Sequence, residues 1–271
     1  MNKIQKEILK ELRKISRKLG HSPGRREVPN LARKCYRHFG SFNKAKELLG
    51  LEIKNKRITL FPKKVFKKDK DLAKIAAYLT TDGHLYKDLS GFIYFSKNVE
   101  DLQEFERLIK RKFGLKGKYH LNSGRGGITH SFYVFNKKIC KELFKLGIPK
   151  GDKIIQRFYI PKWIYSSKDF SKEYLKIAFF CEGSNKEESG RTPRIQINMA
   201  KSEDLLDSGL EFMNTLRKML KNLRINTTRC YITGRRLRKR DNKISRDIKF
   251  RIDIKDNDKF IKEIAPFFRW G

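Results

Sequence analysis

Ile75-Ala-Ala-Tyr-Leu-Thr-Thr-Asp82-Gly83 returns 100 positions later as Leu175-Lys-Ile-Ala-Phe-Phe-Cys-Glu182-Gly183. Each stretch reads as an apolar helix that runs into a carboxylate and then a glycine. Glycine just past a helix predicts a left-handed cap. The acid then stands among carbonyl oxygens that lack helical partners and carry partial negative charge. An acid is unfavourable there unless a cation accompanies it, and a hard divalent metal prefers oxygen ligands. Two such corners in one chain predict one shared, metal-rich site. The alternative, two acids that merely cap helices, is disfavoured by the same electrostatics.

The bulk composition narrows the partner. The chain has 271 residues with 65 Lys+Arg against 30 Asp+Glu, a formal net charge of +35. Charged residues reach 35%, against roughly 25% in ordinary domains. A surplus this large repels itself and points to a polyanionic partner, nucleic acid before an acidic membrane surface. No long apolar stretch or signal peptide appears, so no membrane partner is expected. The 20 Phe and 10 Tyr indicate a folded protein rather than a basic tail. Cys35, Cys140, Cys181 and Cys230 are widely spaced, without the pairs that build zinc ribbons or disulfide frameworks. A reducing, cytoplasmic setting is expected.

Upstream of the repeat, Ile4, Ile8, Leu12, Ile15 and Leu19 form one helical stripe ending at Gly20. Ser22-Pro23 predicts a cap and first-turn proline for a second helix carrying Ala32, Cys35, Tyr36 and Phe39. Gly40-Ser41 predicts its end and the start of a third, with Phe42, Ala45, Leu48 and Leu49 inside. Residues 1–51 hold 14 basic and 4 acidic side chains. The basic ones cluster near turns, Arg25 and Arg26 among them, so this small all-α module is expected to touch DNA. Residues 52–70 read as a basic linker. A solubilising helical cap is the plainer alternative.

From residue 71 the order of elements is predicted twice, over 71–165 and 166–271. In the first copy strands around Phe92–Phe95, Tyr119 and Phe132–Phe135 alternate with helices through Leu102–Phe113 and Ile139–Leu146. In the second, strands near Ile195–Asn198, Tyr231-Ile232 and Phe250–Ile254 alternate with helices over Leu205–Leu220 and Asp258–Ala265. Each half reads α-β-β-α-β-β-α, with four strands expected in each. The fold class is α+β, with paired antiparallel sheets whose front forms a basic trough or saddle.

On these residues the chain resembles the LAGLIDADG homing endonucleases of the single-chain, two-motif type. The connection Leu143-Phe-Lys-Leu-Gly-Ile-Pro-Lys-Gly-Asp-Lys153, followed by Ile160-Pro-Lys-Trp-Ile164, is similar to the join between halves in that family. Gly20-His-Ser-Pro23, Arg25-Arg26-Glu27 and His38-Phe-Gly-Ser-Phe-Asn-Lys-Ala45 resemble the small repeat found beside homing endonucleases. The resemblance implies a monomer with pseudo-two-fold symmetry that cleaves long, non-palindromic double-stranded DNA sites in intron homing. It implies Mg²⁺ (or Mn²⁺) held by Asp82 and Glu182, with Gly83 and Gly183 beside the metal. It also implies basic groups that polarise the attacking water. Lys97 and Lys201 are the candidates, although Lys201 aligns opposite Asn98 when the shared Glu-Asp-Leu triplets are superposed. Ala73, Ala76, Ala77 and Thr80 suit close helix packing, whereas the second helix has Ile177 at the family's small position, with Ala178 one step on.

The chemistry agrees without the resemblance, since phosphodiester hydrolysis needs an activated water and a stabilised leaving oxygen, which paired metals supply. DNA grip is expected from hairpins, because a two-stranded ribbon fits the major groove. Residues 231–250 carry 8 basic and 2 acidic side chains, with Arg235, Arg236, Arg238, Lys239 and Arg240 at the turn. Arg125, in the glycine-rich turn after Asn122, is the first-half counterpart, and Arg194 and Gln196 are expected on the second sheet. A flexible loop giving only unspecific attraction is the alternative. His84 is read as a surface loop residue. Competing functions are an RNA-splicing maturase on the same scaffold and a DNA-binding protein that has lost cleavage.

Overall fold

A computed structural model describes residues 1–53, 63–122, 129–186 and 194–266. The chain divides into two compact units, Met1–Leu60 and Phe61–Gly271.

In the first unit, α1 (Lys3–Leu19) starts at a capping box in which Asn2 and Gln5 exchange bonds. It ends on Gly20 in the left-handed conformation (φ 68°), as expected. Ser22 does not cap a helix, because its hydroxyl donates to the carbonyl of Glu52. The second helix, α2 (Pro29–Phe39), begins instead at Pro29, where the missing N–H costs nothing. Ser41 caps α3 (Phe42–Glu47), which stops before Leu48 and Leu49. Ile8, Leu9, Leu12, Val28, Leu31, Cys35 and Ala45 make a small core of their own.

The second unit repeats one pattern twice. The first half runs α4 (Lys70–Thr80), β1 (His84–Leu85), β2 (Phe92–Ser96), α5 (Val99–Phe113), β3 (Lys118–His120), β4 (His130–Val134) and α6 (Lys137–Lys145). A short α7 (Lys162–Tyr165) leads into the second half. That half runs α8 (Lys168–Glu182), β5 (Gly183–Lys186), β6 (Arg194–Ser202), α9 (Leu206–Asn222), β7 (Tyr231–Leu237), β8 (Ile244–Arg251) and α10 (Asn257–Glu263). The sheets are antiparallel with orders β1-β2-β4-β3 and β5-β6-β8-β7. This is the duplicated α+β arrangement that the sequence predicts. Ile254 departs from it, opening a 3-10 turn rather than closing the last strand.

Helices α4 and α8 share one core. Leu72, Ile75, Ala76, Ala77 and Leu79 are fully buried with Tyr174, Leu175 and Phe179. The alanines let the two backbones approach, which long side chains would prevent. Ala178 is buried while Ile177 is only partly so, which places the small residue one step later than the family position. Ion pairs Lys70–Asp169 (3.0 Å) and Lys74–Glu173 (3.1 Å) tie the two helices at matching heights. Nearer their C-terminal ends Thr80 Oγ1 and Tyr174 OH share a hydrogen bond of 2.5 Å. The two acid-bearing ends are therefore delivered to one place. Among the described residues no helix is long and apolar enough to cross a membrane.

Candidate active site

The two acid-glycine corners are built differently from the cap that the sequence predicts. Neither glycine is left-handed: Gly183 is extended (φ −75°, ψ 149°) as the first residue of β5, and Gly83 is not among the positive-φ glycines. Glycine is required at 83 for space. A Cβ there would lie 2.7 Å from the carbonyl oxygen of Ile93 and 2.9 Å from that of Tyr78. The chain leaves α4 through Thr81 (φ −101°, ψ −107°) and turns at once into the edge strand of the first sheet. Glu182 is the last residue of α8, and Gly183 pairs opposite Ile197. Each acid thus stands where a helix of the shared core passes into an edge strand.

Asp82 and Glu182 meet around a lysine that the sequence reading passed over. Lys153, from the segment between the halves, donates from Nζ to the carbonyl oxygens of Gly83 (2.6 Å) and Thr81. Burial raises the Asp82 carboxyl to about 6, against the pull of Lys153 and a hydrogen bond with the Cys181 thiol. Burial also raises Glu182, and the neighbouring charge of Asp82 adds to it. Lys153 is lowered by burial although both acids favour its charge. The Asp82 side chain still reaches solvent, so its charge is partly screened. Lys153 was legible only as part of the quoted connection, which gave no sign that its amine folds back onto the first motif.

The acids open into separate recesses. Asp82 lines one of about 440 Å³ with Tyr94, Lys97, Asp101 and Cys181. Glu182 lines one of about 570 Å³ with His84, Lys153, Asn198, Arg236 and Arg240. Lys97 is exposed in the first. His84 stands on β1, not in a loop, and its ring stacks on Phe95.

The donor set suits a hard cation. It consists of carboxylate and carbonyl oxygens, and a bound cation would offset the burial that raises both carboxyl groups. Among the described residues no group of three His, Cys, Asp or Glu could hold a metal. The remaining ligands would have to be substrate or water oxygens, as is usual for Mg²⁺.

Lys201 has a different task from the expected one. It is fully buried, and its ammonium donates to the carbonyls of Lys153 (2.8 Å) and Gln156 (2.5 Å) while lying 4.3 Å from the Phe158 ring centroid. Burial lowers its pKa to about 8. The amine is thus committed to the connecting segment rather than to the acids. The expected effect of Lys201→Met is a loss of about 1–3 kcal/mol as two carbonyls lose their donor, read as a lower melting temperature.

Asp152 holds the same segment from another side. Its Oδ1 accepts from the Ile154 amide (3.0 Å) and its Oδ2 from Arg238 (2.5 Å). Arg238 also pairs with Asp241 at 3.2 Å and is only 13% exposed, so it braces the hairpin instead of facing a ligand. Arg236 pairs with Asp247. Arg235, Lys239 and Arg240 are exposed around the β7–β8 turn, as are Arg25 and Arg26 in the first unit. Gln196 is buried and donates to Ser184 Oγ at 3.2 Å. Arg194 is half-buried at the start of β6. Arg125 lies outside the described residues.

Residues 5–52 match the family described as the homing endonuclease associated repeat. Over 204 residues the chain is 26% identical to the replication factor C small subunit of Methanocaldococcus jannaschii, covering 71% of this chain and 11% of that protein. Over 172 residues it is 27% identical to the tRNA-splicing ligase RtcB of Methanopyrus kandleri, covering 58% and 17%. The chain thus spans less than a fifth of the length of these curated relatives. Among solved structures it is similar to mesophilic variants of the homing endonuclease I-DmoI (17% identity, TM-score 0.49, 74% of this chain and 97% of that one). It is also similar to the homing endonuclease I-WcaI bound to its DNA recognition sequence (15%, 0.45, 83% and 94%). A third likeness is the N-terminal LAGLIDADG domain of DUF199/WhiA (13%, 0.46, 74% and 86%). At these identities and TM-scores none of the three assigns a chemistry to this chain.

Proposed function

We propose that this chain is a site-specific endonuclease that hydrolyses phosphodiester bonds of double-stranded DNA with the help of a divalent metal, Mg²⁺ or Mn²⁺. The observation that carries this reading is the meeting of Asp82, Glu182 and Lys153, from three distant segments, at the joined ends of α4 and α8. One chain supplies both acids, so a single copy suffices. Because the two sheets carry different side chains, the target need not be palindromic.

Asp82 and Glu182 would hold the metal, which supplies Lewis acidity and lowers the pKa of a bound water. Hydrolysis forms a bond from water oxygen to phosphorus and breaks the bond from phosphorus to the leaving oxygen, which ends as a hydroxyl. In this reading Lys153 gives up its carbonyl partners when the phosphate arrives. Its ammonium, already less basic than a free lysine, then faces the negative charge that builds on the phosphate oxygens. Lys97 is a second candidate for the water in the Asp82 recess. Arg235, Lys239 and Arg240 would take phosphates or guanine edges.

The curated relatives fit a self-contained module. A segment of 11% of one relative and 17% of another aligns with this chain, although one is a replication factor and the other an RNA ligase. A shared insert with its own activity accounts for such small shares more simply than a shared host activity does.

Lys153→Met tests the assignment. Its expected result is a fall in cutting of about 10²–10³-fold, the scale of losing one charge-stabilising donor. Duplex affinity should stay within a few-fold. Cutting at the wild-type rate would remove Lys153 from the chemistry.

A further inference from the structure

The front faces of the two sheets are chemically unlike. In the first sheet Phe92, Tyr94, Phe132 and Val134 point into the core, which leaves Ile93, Phe95 and Tyr133 on the opposite face. Pairing register sets His84, Ile93, Tyr133 and Lys118 in one row. Four ring contacts join this face into a ladder: Phe95 to His84 (6.1 Å), His84 to Tyr86 (5.8 Å), Tyr86 to Phe135 (5.7 Å) and Phe135 to Tyr133 (5.5 Å). Phe135, just past the end of β4, is 65% exposed.

The second sheet presents polar groups in the matching rows. Asn198, Lys249 and Tyr231 align across three strands, with Gln196–Arg251 on one side and Ala200, Asp247 and Thr233 on the other. Among the described residues Asn198 Oδ1, Tyr231 OH, Thr233 Oγ1 and Arg251 Nε are buried polar atoms without a hydrogen-bond partner. The side chains that carry these atoms are only half-buried, so this face stays polar and partly open to solvent.

We propose that the ring ladder reads thymine methyl groups, so the half-site under the first sheet is thymine-rich while the half under the second carries the hydrogen-bonded contacts. This rests on the DNA-cutting reading above. The C5-methyl of thymine is the apolar group that base pairs offer in the major groove. Rings pressed on guanine or cytosine edges would strand donors and acceptors without partners. The ladder is placed for DNA by continuity, since His84 and Tyr86 line the same recess as Glu182, Lys153, Arg236 and Arg240.

The experiment is selection of bound duplexes from a pool with a long randomised stretch, using the full chain in EDTA at fixed salt. The recovered sites are expected to be asymmetric, with thymines concentrated in one half. Replacing those thymines by uracil should weaken binding roughly fourfold per contacted methyl. The salt slope should not change, because no phosphate contact is lost. Phe135→Ser should abolish the preference at one thymine position, and Phe135→Leu should keep it. An enriched pool whose thymine-poor halves or methyl-indifferent sites survive these tests overturns the ladder alone. A pool that does not enrich at all contradicts the DNA-cutting reading as well.

Discussion

Asp82→Asn and Glu182→Gln, each made alone, are expected to lower cutting by on the order of 10³-fold or more, with duplex affinity kept within about threefold. The reason is the division of labour in the fold. The acids stand at the helix ends, whereas Arg235 and Lys239 are exposed at the β7–β8 turn, from which Arg236 and Arg240 reach the Glu182 recess. With affinity read in EDTA, removing a negative charge does not weaken attraction to phosphates, so a loss confined to cutting isolates the acids' role. Unfolding is not a competing cause. Burial raises both carboxyl groups, so in the metal-free chain the folded state disfavours their charge, and neutral replacements should leave thermal stability unchanged or higher. The same shift fixes the pH dependence. With Asp82 at about 6, the acid is mostly protonated below that pH and ionised above it. Glu182, pushed up to about 7, ionises later still, so cutting should rise as pH increases through about 6 to 7, and the limb should move to lower pH as metal concentration rises, because a bound cation favours the ionised acids. A flat profile, or full cutting by Asp82→Asn, would return these acids to plain helix ends.

Raising salt from 50 to 200 mM is expected to weaken duplex binding by roughly 10³–10⁵-fold, the loss for a protein that contacts 6–10 phosphates. The formal net charge of +35 makes such a contact number reachable, but net charge alone does not set the slope. The structure shows which side chains are free to contribute. Arg235 and Lys239 are exposed, and Arg240 is exposed with one loose ion pair to Asp152 (3.8 Å), whereas Arg238 is braced by Asp152 and Asp241. Arg240→Gln should accordingly reduce the slope by about one, and Arg238→Gln should instead loosen the connecting segment and lower the melting temperature. Titrations of one duplex at several salt concentrations separate the two outcomes.

Much of the fold was legible because duplication doubles the signal. The repeated motif, the helical stripes and the alternating strands each occur twice, and the order α-β-β-α-β-β-α follows from them. The first strand of each half, β1 and β5, was counted in that order but not located, since two to four residues cannot display a period. The glycines were identified at the right positions for the wrong reason. A sequence distinguishes neither a left-handed turn from a crowded one nor the Ile93 carbonyl that crowds Gly83. Asp82 and Glu182 could be singled out because an acid at a helix end is electrostatically out of place. Lys153 could not, because lysine is common in this chain and only the long-range return of the segment near Gly151, whose amide donates to the Leu85 carbonyl, brings it home. Lys201 illustrates the converse: its spacing suited a catalytic role, while its burial against Phe158 and two carbonyls serves the connection instead.

The most direct test is a crystal of this chain with a selected duplex and Mn²⁺, read by anomalous scattering. The account expects manganese within about 2.0–2.6 Å of carboxylate oxygens from Asp82 and Glu182, with phosphate oxygens completing its shell and the Lys153 ammonium displaced from the Thr81 and Gly83 carbonyls. Manganese bound away from both carboxylates, with Lys153 still seated between the motifs, would contradict it.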